Sequence, residues 1–173
     1  MPRWQNPVNA PDLRSGVLRD MGVQISLSAF MVRVNLIKPE FLADQHLVAE
    51  YAEVLMLVEY VKRYPALEGI PGKYCLGEGH QKFFKNKLKY LERRHVQLKK
   101  EMRRRGFNAR KTLSLKGFRK ENLGDWEPGE EDYGVIGKRL IWKIKEKPGF
   151  YRYYGERKGQ KFLVGLIRKG INF

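Results

Sequence analysis

The chain has 173 residues, and 42% of them are hydrophobic, which suits one domain with a modest core. Its 35 Lys and Arg against 19 Asp and Glu give a formal net charge of +16. This excess favours a polyanionic partner, with nucleic acid ahead of an anionic membrane surface. A negative mean hydropathy and the lack of a long apolar run argue against a membrane protein.

Cysteine and histidine usage narrows the chemistry. The single cysteine, Cys75, excludes an intramolecular disulfide and a cysteine-based zinc site, and it suits the reducing cytoplasm. The three histidines, His46, His80 and His95, lack the spacing of metal ligands. The sequence therefore predicts a cytoplasmic protein without a metal or another cofactor.

Residues 1–30 differ from the rest of the chain. They carry little charge, are rich in small and polar residues, and include three early prolines, which disrupt any regular pattern. They are too polar for a secretory signal. We expect an N-terminal extension that is either disordered or absent from the mature protein.

The first predicted helix covers residues 39–64, because Pro39 suits a first helical turn and a proline follows the end of the pattern. Its buried stripe is expected to contain apolar residues three or four positions apart: Leu47, Tyr51, Val54, Val58 and Val61. His46, Glu50 and Glu53 form a second stripe, which is polar, and Glu50 is expected to be a structural ion-pair partner rather than a second catalytic residue.

Two further helices follow in the chain. The pattern predicts one over residues 80–105, closed by Gly106, with its remaining faces mostly Lys and Arg. Its inner face is expected to comprise Phe84, Leu88, Leu91, Leu98 and Met102. The other covers residues 130–146, with acids at its start and bases toward its end, and its core face is Tyr133, Ile136, Leu140 and Ile144. The predicted fold is all-α, a single compact domain of three main helices with long loops.

Five short segments carry the most specific signal. They are Met-Val-Arg-Val-Asn-Leu at 31–36, Leu-Ala-Asp-Gln-His-Leu at 42–47, Leu-Gly-Glu-Gly-His at 76–80, Arg-Gly-Phe-Asn at 105–108 and Tyr-Arg-Tyr-Tyr-Gly at 151–155. In this order they resemble the pyrimidine-dimer DNA glycosylases, small all-helical repair enzymes. The resemblance divides the chain into an extension at 1–30, a glycosylase domain at 31–155 and a basic C-terminal extension at 156–173.

The resemblance implies a mechanism in which the chain's own amino terminus is the nucleophile. With Met31 as the start and removed, the α-amine of Val32 would attack the sugar C1′. A start at Met1 would instead expose Pro2, whose secondary amine can also react. An α-amine has a pKa near 7.7–8.0 and is therefore partly neutral at pH 7. Its imine would then allow β-elimination and strand nicking, with Glu53 as the acid/base group.

The resemblance also implies the DNA-binding residues. Arg33 would hold a phosphate, His46 would lie close to the site, and Arg139 and Lys143 would line the DNA surface. Tyr151 and Arg152 belong to an aromatic and basic cluster that suits stacking on bases or sugars. Each assignment has a plainer alternative: an exposed helix glutamate for Glu53, surface charges for the bases, and a packing role for His46 and the tyrosines, Tyr154 more than Tyr151.

The chain departs from the family at three positions. Ala52 and Met56 replace arginines, which puts specificity for the dimer in doubt, and Val32 replaces a threonine but keeps the amine. The expected partner is damaged double-stranded DNA. We expect the protein to bind it as a monomer and not to associate with a membrane. The alternatives are a glycosylase/lyase for a different lesion and a non-enzymatic basic nucleic-acid-binding protein.

Overall fold

The computed structural model describes residues 33–77 and 79–171, and these residues are mainly helical. The α-helices are α1 (Asp44–Arg63), α2 (Gly79–Phe83), α3 (Leu88–Arg104), α4 (Glu130–Glu146) and α5 (Gln160–Ile171), with 3₁₀ turns at Pro39–Phe41 and Lys120–Asn122. Two short antiparallel strands, β1 (Arg152–Tyr153) and β2 (Glu156–Arg157), form a hairpin that pairs Arg152 with Arg157 and Tyr153 with Glu156. The mainly helical class is confirmed, but the described residues form five helices rather than three.

The first predicted helix is divided at its start. Leu42 and Ala43 are extended between the 3₁₀ turn and α1. The Arg105 guanidinium donates hydrogen bonds to the carbonyls of residues 39, 40 and 42 and to the Asp44 carboxylate. The first turn therefore does not continue into α1, because an arginine binds carbonyl groups that a continuous helix would use itself. The predicted apolar stripe of this helix is buried, as expected.

The second predicted helix is interrupted between α2 and α3. Residues 120–124 lie against the break, where Asn122 Nδ2 donates to the Lys85 carbonyl at 2.8 Å. The Lys89 amide, which would complete that helical turn, donates to the Gly124 carbonyl at 3.2 Å instead. A side chain at Gly124 would collide with the backbone of residue 86. The predicted inner face is nevertheless completely buried.

Helix α4 has the predicted bounds, and three of its four predicted core residues, Ile136, Leu140 and Ile144, are buried. At its start the Asp132 carboxylate accepts the amide of Gly129 at 2.8 Å. Helix α5, which the sequence analysis did not predict, packs on α4, where a Cβ atom at Gly137 would meet the end of the Ile171 side chain. No helix within the described ranges is long and apolar enough to cross a membrane.

Candidate active site

The polar stripe of α1 faces the interior of the protein. Glu50 is completely buried and Glu53 is 5% exposed, so the interpretation of Glu53 as an exposed helix glutamate is wrong. A buried carboxylate is costly unless other groups offset its charge. Two α1 glutamates one turn apart therefore need separate explanations.

Glu50 forms a buried ion pair, as the sequence predicted for a structural partner. Arg94 donates from Nε to Glu50 Oε1 at 2.7 Å and from Nη2 to Oε2 at 3.0 Å. The same guanidinium reaches the Leu36 carbonyl at 3.2 Å, and Asn35 Nδ2 donates to Glu50 Oε2 at 3.0 Å. The two charges cancel inside the core, and the pair binds the Asn35 side chain and the Leu36 carbonyl of the N-terminal segment.

The next contacts hold the peptide groups of Val34. Its amide donates to His80 Nε2 at 3.2 Å, and its carbonyl accepts the Tyr74 hydroxyl at 2.8 Å. His80 Nδ1 lies 3.0 Å from the Cys75 carbonyl. We call the four side chains that bind residues 34–36 the N-terminal anchor: Glu50, Tyr74, His80 and Arg94. Val32, the predicted nucleophile, lies outside the described residues.

Positively charged side chains gather beside the anchor. Burial and the nearby Arg33 lower the pKa of Arg139, whereas Glu53 acts in the opposite direction. Burial, Arg139 and Lys147 lower the pKa of Lys143. We call Arg33, Arg139 and Lys143 the cation cluster. Three of the predicted DNA-binding residues thus interact with one another, and Arg139 also interacts with the predicted catalytic Glu53.

His46 lies between the cation cluster and Tyr151. Burial, Arg139 and Lys143 lower the pKa of His46 to about 3, so the ring is neutral at pH 7. Its centroid is 4.5 Å from that of the Tyr151 ring, and neither ring nitrogen has a hydrogen-bond partner among the described residues. A neutral ring offers a polar atom to this site without adding charge.

The start of α1 positions the C-terminal aromatic segment. Asp44 accepts the amides of Tyr154 and Gly155, at 3.2 and 2.7 Å. Gln45 donates to the Phe150 carbonyl and accepts the amide of Arg152. Three adjacent residues, 44–46, therefore bind or contact residues 150–155.

The two tyrosines of this segment differ from expectation. Tyr151 is 5% exposed and Tyr154 is 42% exposed, so Tyr151 is the residue that caps the core. Tyr154 lies instead over Arg105, at 4.7 Å, because Asp44 holds its backbone beside that guanidinium. Burial raises the pKa of Tyr151, against the effect of Arg139. Arg152 is exposed on β1 and donates to the Gly155 carbonyl.

A groove of about 440 Å³ opens along α1, and its lining includes Ala52 and Met56, the two positions at which the resemblance predicts arginines. One wall belongs to α1 and the other to residues 111–118. Its lining is mixed, with apolar side chains such as Leu113 and Phe118 and three lysines: Lys62, Lys111 and Lys116. The groove therefore combines basic groups with an apolar floor.

Several residues of the site were not predicted from the sequence. His80 belongs to a segment that carries the resemblance, but its contact with Val34 depends on a separation of 46 residues. Arg94 lies in a basic run and looks like its neighbours. In the described part of the chain, no group of three or more His, Cys, Asp and Glu residues could hold a metal ion.

A comparison with known protein families gives a match that includes part of this site. A family model described as pyrimidine dimer DNA glycosylase matches residues 31–115. The match includes Arg33, His46 and Glu53, as well as the N-terminal anchor. The other members of the cation cluster and the aromatic segment follow the matched region, and the structure brings them to it.

Proposed function

The chain belongs to the pyrimidine dimer DNA glycosylase family, and we propose that it excises cyclobutane pyrimidine dimers by attack of the Val32 α-amine on C1′. The observation that carries this proposal is the buried Glu53 beside Arg139, on a helix that also positions the N-terminal segment. The enzyme would act as a cytoplasmic monomer without a metal or another cofactor. Residues 31–155 would form its glycosylase domain, with extensions at 1–30 and 156–173.

In the proposed chemistry, one amine takes part in both reactions, the release of the base and the cleavage of the strand. The neutral amine attacks C1′, and the glycosidic bond breaks with its electron pair leaving on the base, which takes up a proton. The attached nitrogen loses a proton, and its electron pair then forms the C1′=N bond while the C1′–O4′ bond breaks and O4′ takes up a proton, which opens the sugar ring and leaves a protonated imine at C1′. Glu53 stabilises the positive charge that develops on the sugar as the base leaves. It then removes a C2′ proton, and the electron pair expels the 3′ phosphate by β-elimination. The site would thus combine glycosylase and abasic-site lyase activity.

The cation cluster supports binding of the substrate. Arg33 lies directly after the proposed nucleophile in the chain, and Arg139 and Lys143 have lowered pKa values because they are partly buried and close to other cations. DNA phosphates would relieve this repulsion and release condensed counterions. His46 stays neutral, and Tyr151 and Arg152 would complete the surface near the sugar.

The groove lined by Ala52 and Met56 bears on the choice of lesion. These two residues supply no positive charge at positions where the resemblance predicts arginines, and they line a groove of mixed apolar and basic character instead. A glycosylase/lyase for another lesion is therefore the second candidate function. Duplexes that carry a thymine dimer, an oxidised base, an alkylated base or an abasic site would separate the two candidates by their excision rates.

The decisive experiment is borohydride trapping of the Met31-start protein on duplex DNA with a cyclobutane thymine dimer, followed by mass spectrometry of the adduct. We expect the adduct on Val32. Glu53→Gln should still bind the duplex but lose excision. A protein that retains residues 1–31 is the matched control, and it should form no adduct at Val32 because that nitrogen is then a peptide amide.

Three other outcomes would change the proposal. An adduct on Pro2 or a lysine would overturn the assignment of the nucleophile. If trapping occurs only on an abasic duplex, the proposed lyase reaction stands, but the assignment of the pyrimidine dimer as the substrate is rejected. Salt-dependent binding that ignores damage, with no adduct on any duplex, would indicate a non-enzymatic nucleic-acid-binding protein.

A further inference from the structure

Both hydrogen-bonding groups of one peptide residue, Val34, are held by buried side chains. His80 accepts its amide, and Tyr74 donates to its carbonyl. His80 and Tyr74 are 0% and 5% exposed, and their rings pack edge to face with centroids 5.6 Å apart. A residue bound on both sides of its backbone has little freedom to rotate, so Val34 is fixed in position and direction.

The protonation state of His80 suits this contact. The pKa of His80 is lowered to about 3. Burial is the largest cause, the hydrogen bond with the Cys75 carbonyl acts in the opposite direction, and Arg33 and Arg139 add to the lowering. Since Nε2 accepts the Val34 amide, the single proton of the neutral ring lies on Nδ1, which donates to the Cys75 carbonyl. A protonated ring would have no acceptor for Val34.

The next residues reinforce the same direction. Asn35 donates to Glu50, and the Leu36 carbonyl is bound by Arg94. Leu36 has a φ of 62°, a conformation that is costly for a leucine and persists only where surrounding contacts impose it. The chain is thus held at three successive residues before it turns into the core.

This anchoring matters because of its distance from the reaction. Val34 is two residues from Val32, and one residue spans at most about 3.6 Å. The fixed peptide therefore lies within about 7 Å of the amine that the proposed function uses. Contacts at Val34 are therefore close enough to influence the position of that amine.

We propose that His80 and Tyr74 are positioning residues that aim the Val32 amine at C1′ through their hydrogen bonds to the Val34 peptide. This inference rests on the proposed function, and it gives the Gly-His segment at 79–80 a specific task. The two residues need no contact with the DNA. Their loss should lower the rate of imine formation while the affinity for damaged duplex stays the same.

The test separates binding from chemistry in single-turnover reactions of the active protein on dimer-containing duplex. We expect His80→Ala and Tyr74→Phe to slow borohydride-trapped imine formation by about 10- to 100-fold, as expected for a misplaced reacting group. The dissociation constant should change by less than about threefold. His80→Gln should recover much of the rate, because its amide oxygen can accept the Val34 amide.

Phe84→Leu provides the matched control. Phe84 is completely buried with its ring centroid 5.2 Å from that of His80, so the change disturbs the same core without a hydrogen bond to Val34. Rates that fall equally in Phe84→Leu, or wild-type rates in both His80→Ala and Tyr74→Phe, would overturn the inference. An adduct away from Val32 in the unsubstituted protein would reject the proposed function itself, so the two failures are distinguishable.

Discussion

The N-terminal anchor and the cation cluster are neighbours, but the anchor pairs opposite charges whereas the cation cluster groups like charges. In the anchor, a buried glutamate and arginine cancel each other, and a neutral histidine accepts a backbone amide. In the cation cluster, like charges are held together, and burial together with these neighbouring charges lowers the pKa values of Arg139 and Lys143. We infer that the first arrangement stabilises the fold, whereas the second awaits a polyanion and costs stability until one binds.

The strongest test of this contrast compares two glutamates one turn apart on α1. Glu50→Ala would leave Arg94 buried without its partner and should lower the free energy of unfolding by about 3–5 kcal/mol. Glu53→Ala should cost less than half of that and abolish excision, because we assign Glu53 to chemistry. Urea unfolding and single-turnover excision would measure both effects. Equal losses of stability would remove the distinction between the two glutamates.

The buried histidines should make the fold sensitive to acid. The pKa values of His46 and His80 are lowered to about 3 and that of His95 to about 4, in each case mainly by burial. Each ring therefore binds fewer protons in the folded state than in the unfolded state below about pH 6.5. The stability they contribute is complete above that pH and decreases as the pH falls toward the folded pKa values.

The size of this acid sensitivity can be measured by urea unfolding between about pH 6.5 and 5, above the range where carboxylates titrate. Each histidine should contribute a slope of up to about 1.4 kcal/mol per pH unit. His80→Gln should make the curve shallower by the contribution of one proton. A variant with the same slope as the unsubstituted protein would show that His80 does not titrate in this way.

A lysine in the cation cluster should affect binding and stability in opposite directions. Lys143→Met would remove one phosphate contact and weaken DNA binding by about 3- to 10-fold, with a smaller salt dependence. It should leave Tm unchanged or slightly higher, because Arg139 and Lys147 then repel one charge fewer. Lys145→Met, an exposed change on the same helix, is the control and should affect DNA affinity less. Equal weakening in both variants would indicate a diffuse electrostatic surface.

The sequence predicted the parts of the structure that depend on local pattern. Helix α4 has its predicted bounds because acids at its start and bases near its end follow the helix dipole. Glu50 was correctly predicted to be an ion-pair partner. The break between α2 and α3 escaped prediction because its determinant, Asn122, is 37 residues away from the carbonyl it binds.

The candidate site shows the same limit. His46 and Glu53 were predicted as site residues because they share the polar face of a helix whose start carries the resemblance. Arg94 and Arg105 were not found, since nothing in a run of basic residues identifies the members that turn inward. Tyr74 was missed because its hydroxyl binds a carbonyl 40 residues away. Long-range hydrogen bonds decide these roles, and periodicity carries no information about them.

The smallest expected effect concerns the groove. Ala52→Arg would place a positive charge in the groove of about 440 Å³, which gives it room, at a position where the resemblance predicts an arginine. We expect DNA binding to tighten by about two- to fivefold, since one more phosphate contact is possible. Ser114→Arg, on the opposite wall of the groove, adds the same charge at a different place.

Binding and excision assays on dimer-containing and undamaged duplexes would show whether the added charge affects lesion specificity or only general DNA affinity. If only Ala52→Arg raises the preference for the dimer, position 52 helps to set lesion specificity, and the natural alanine lowers that preference. If both variants tighten binding to every duplex equally, the added charge acts only through general attraction to phosphate. The natural groove would then have no part in lesion choice, which would depend on the anchor and the cation cluster alone.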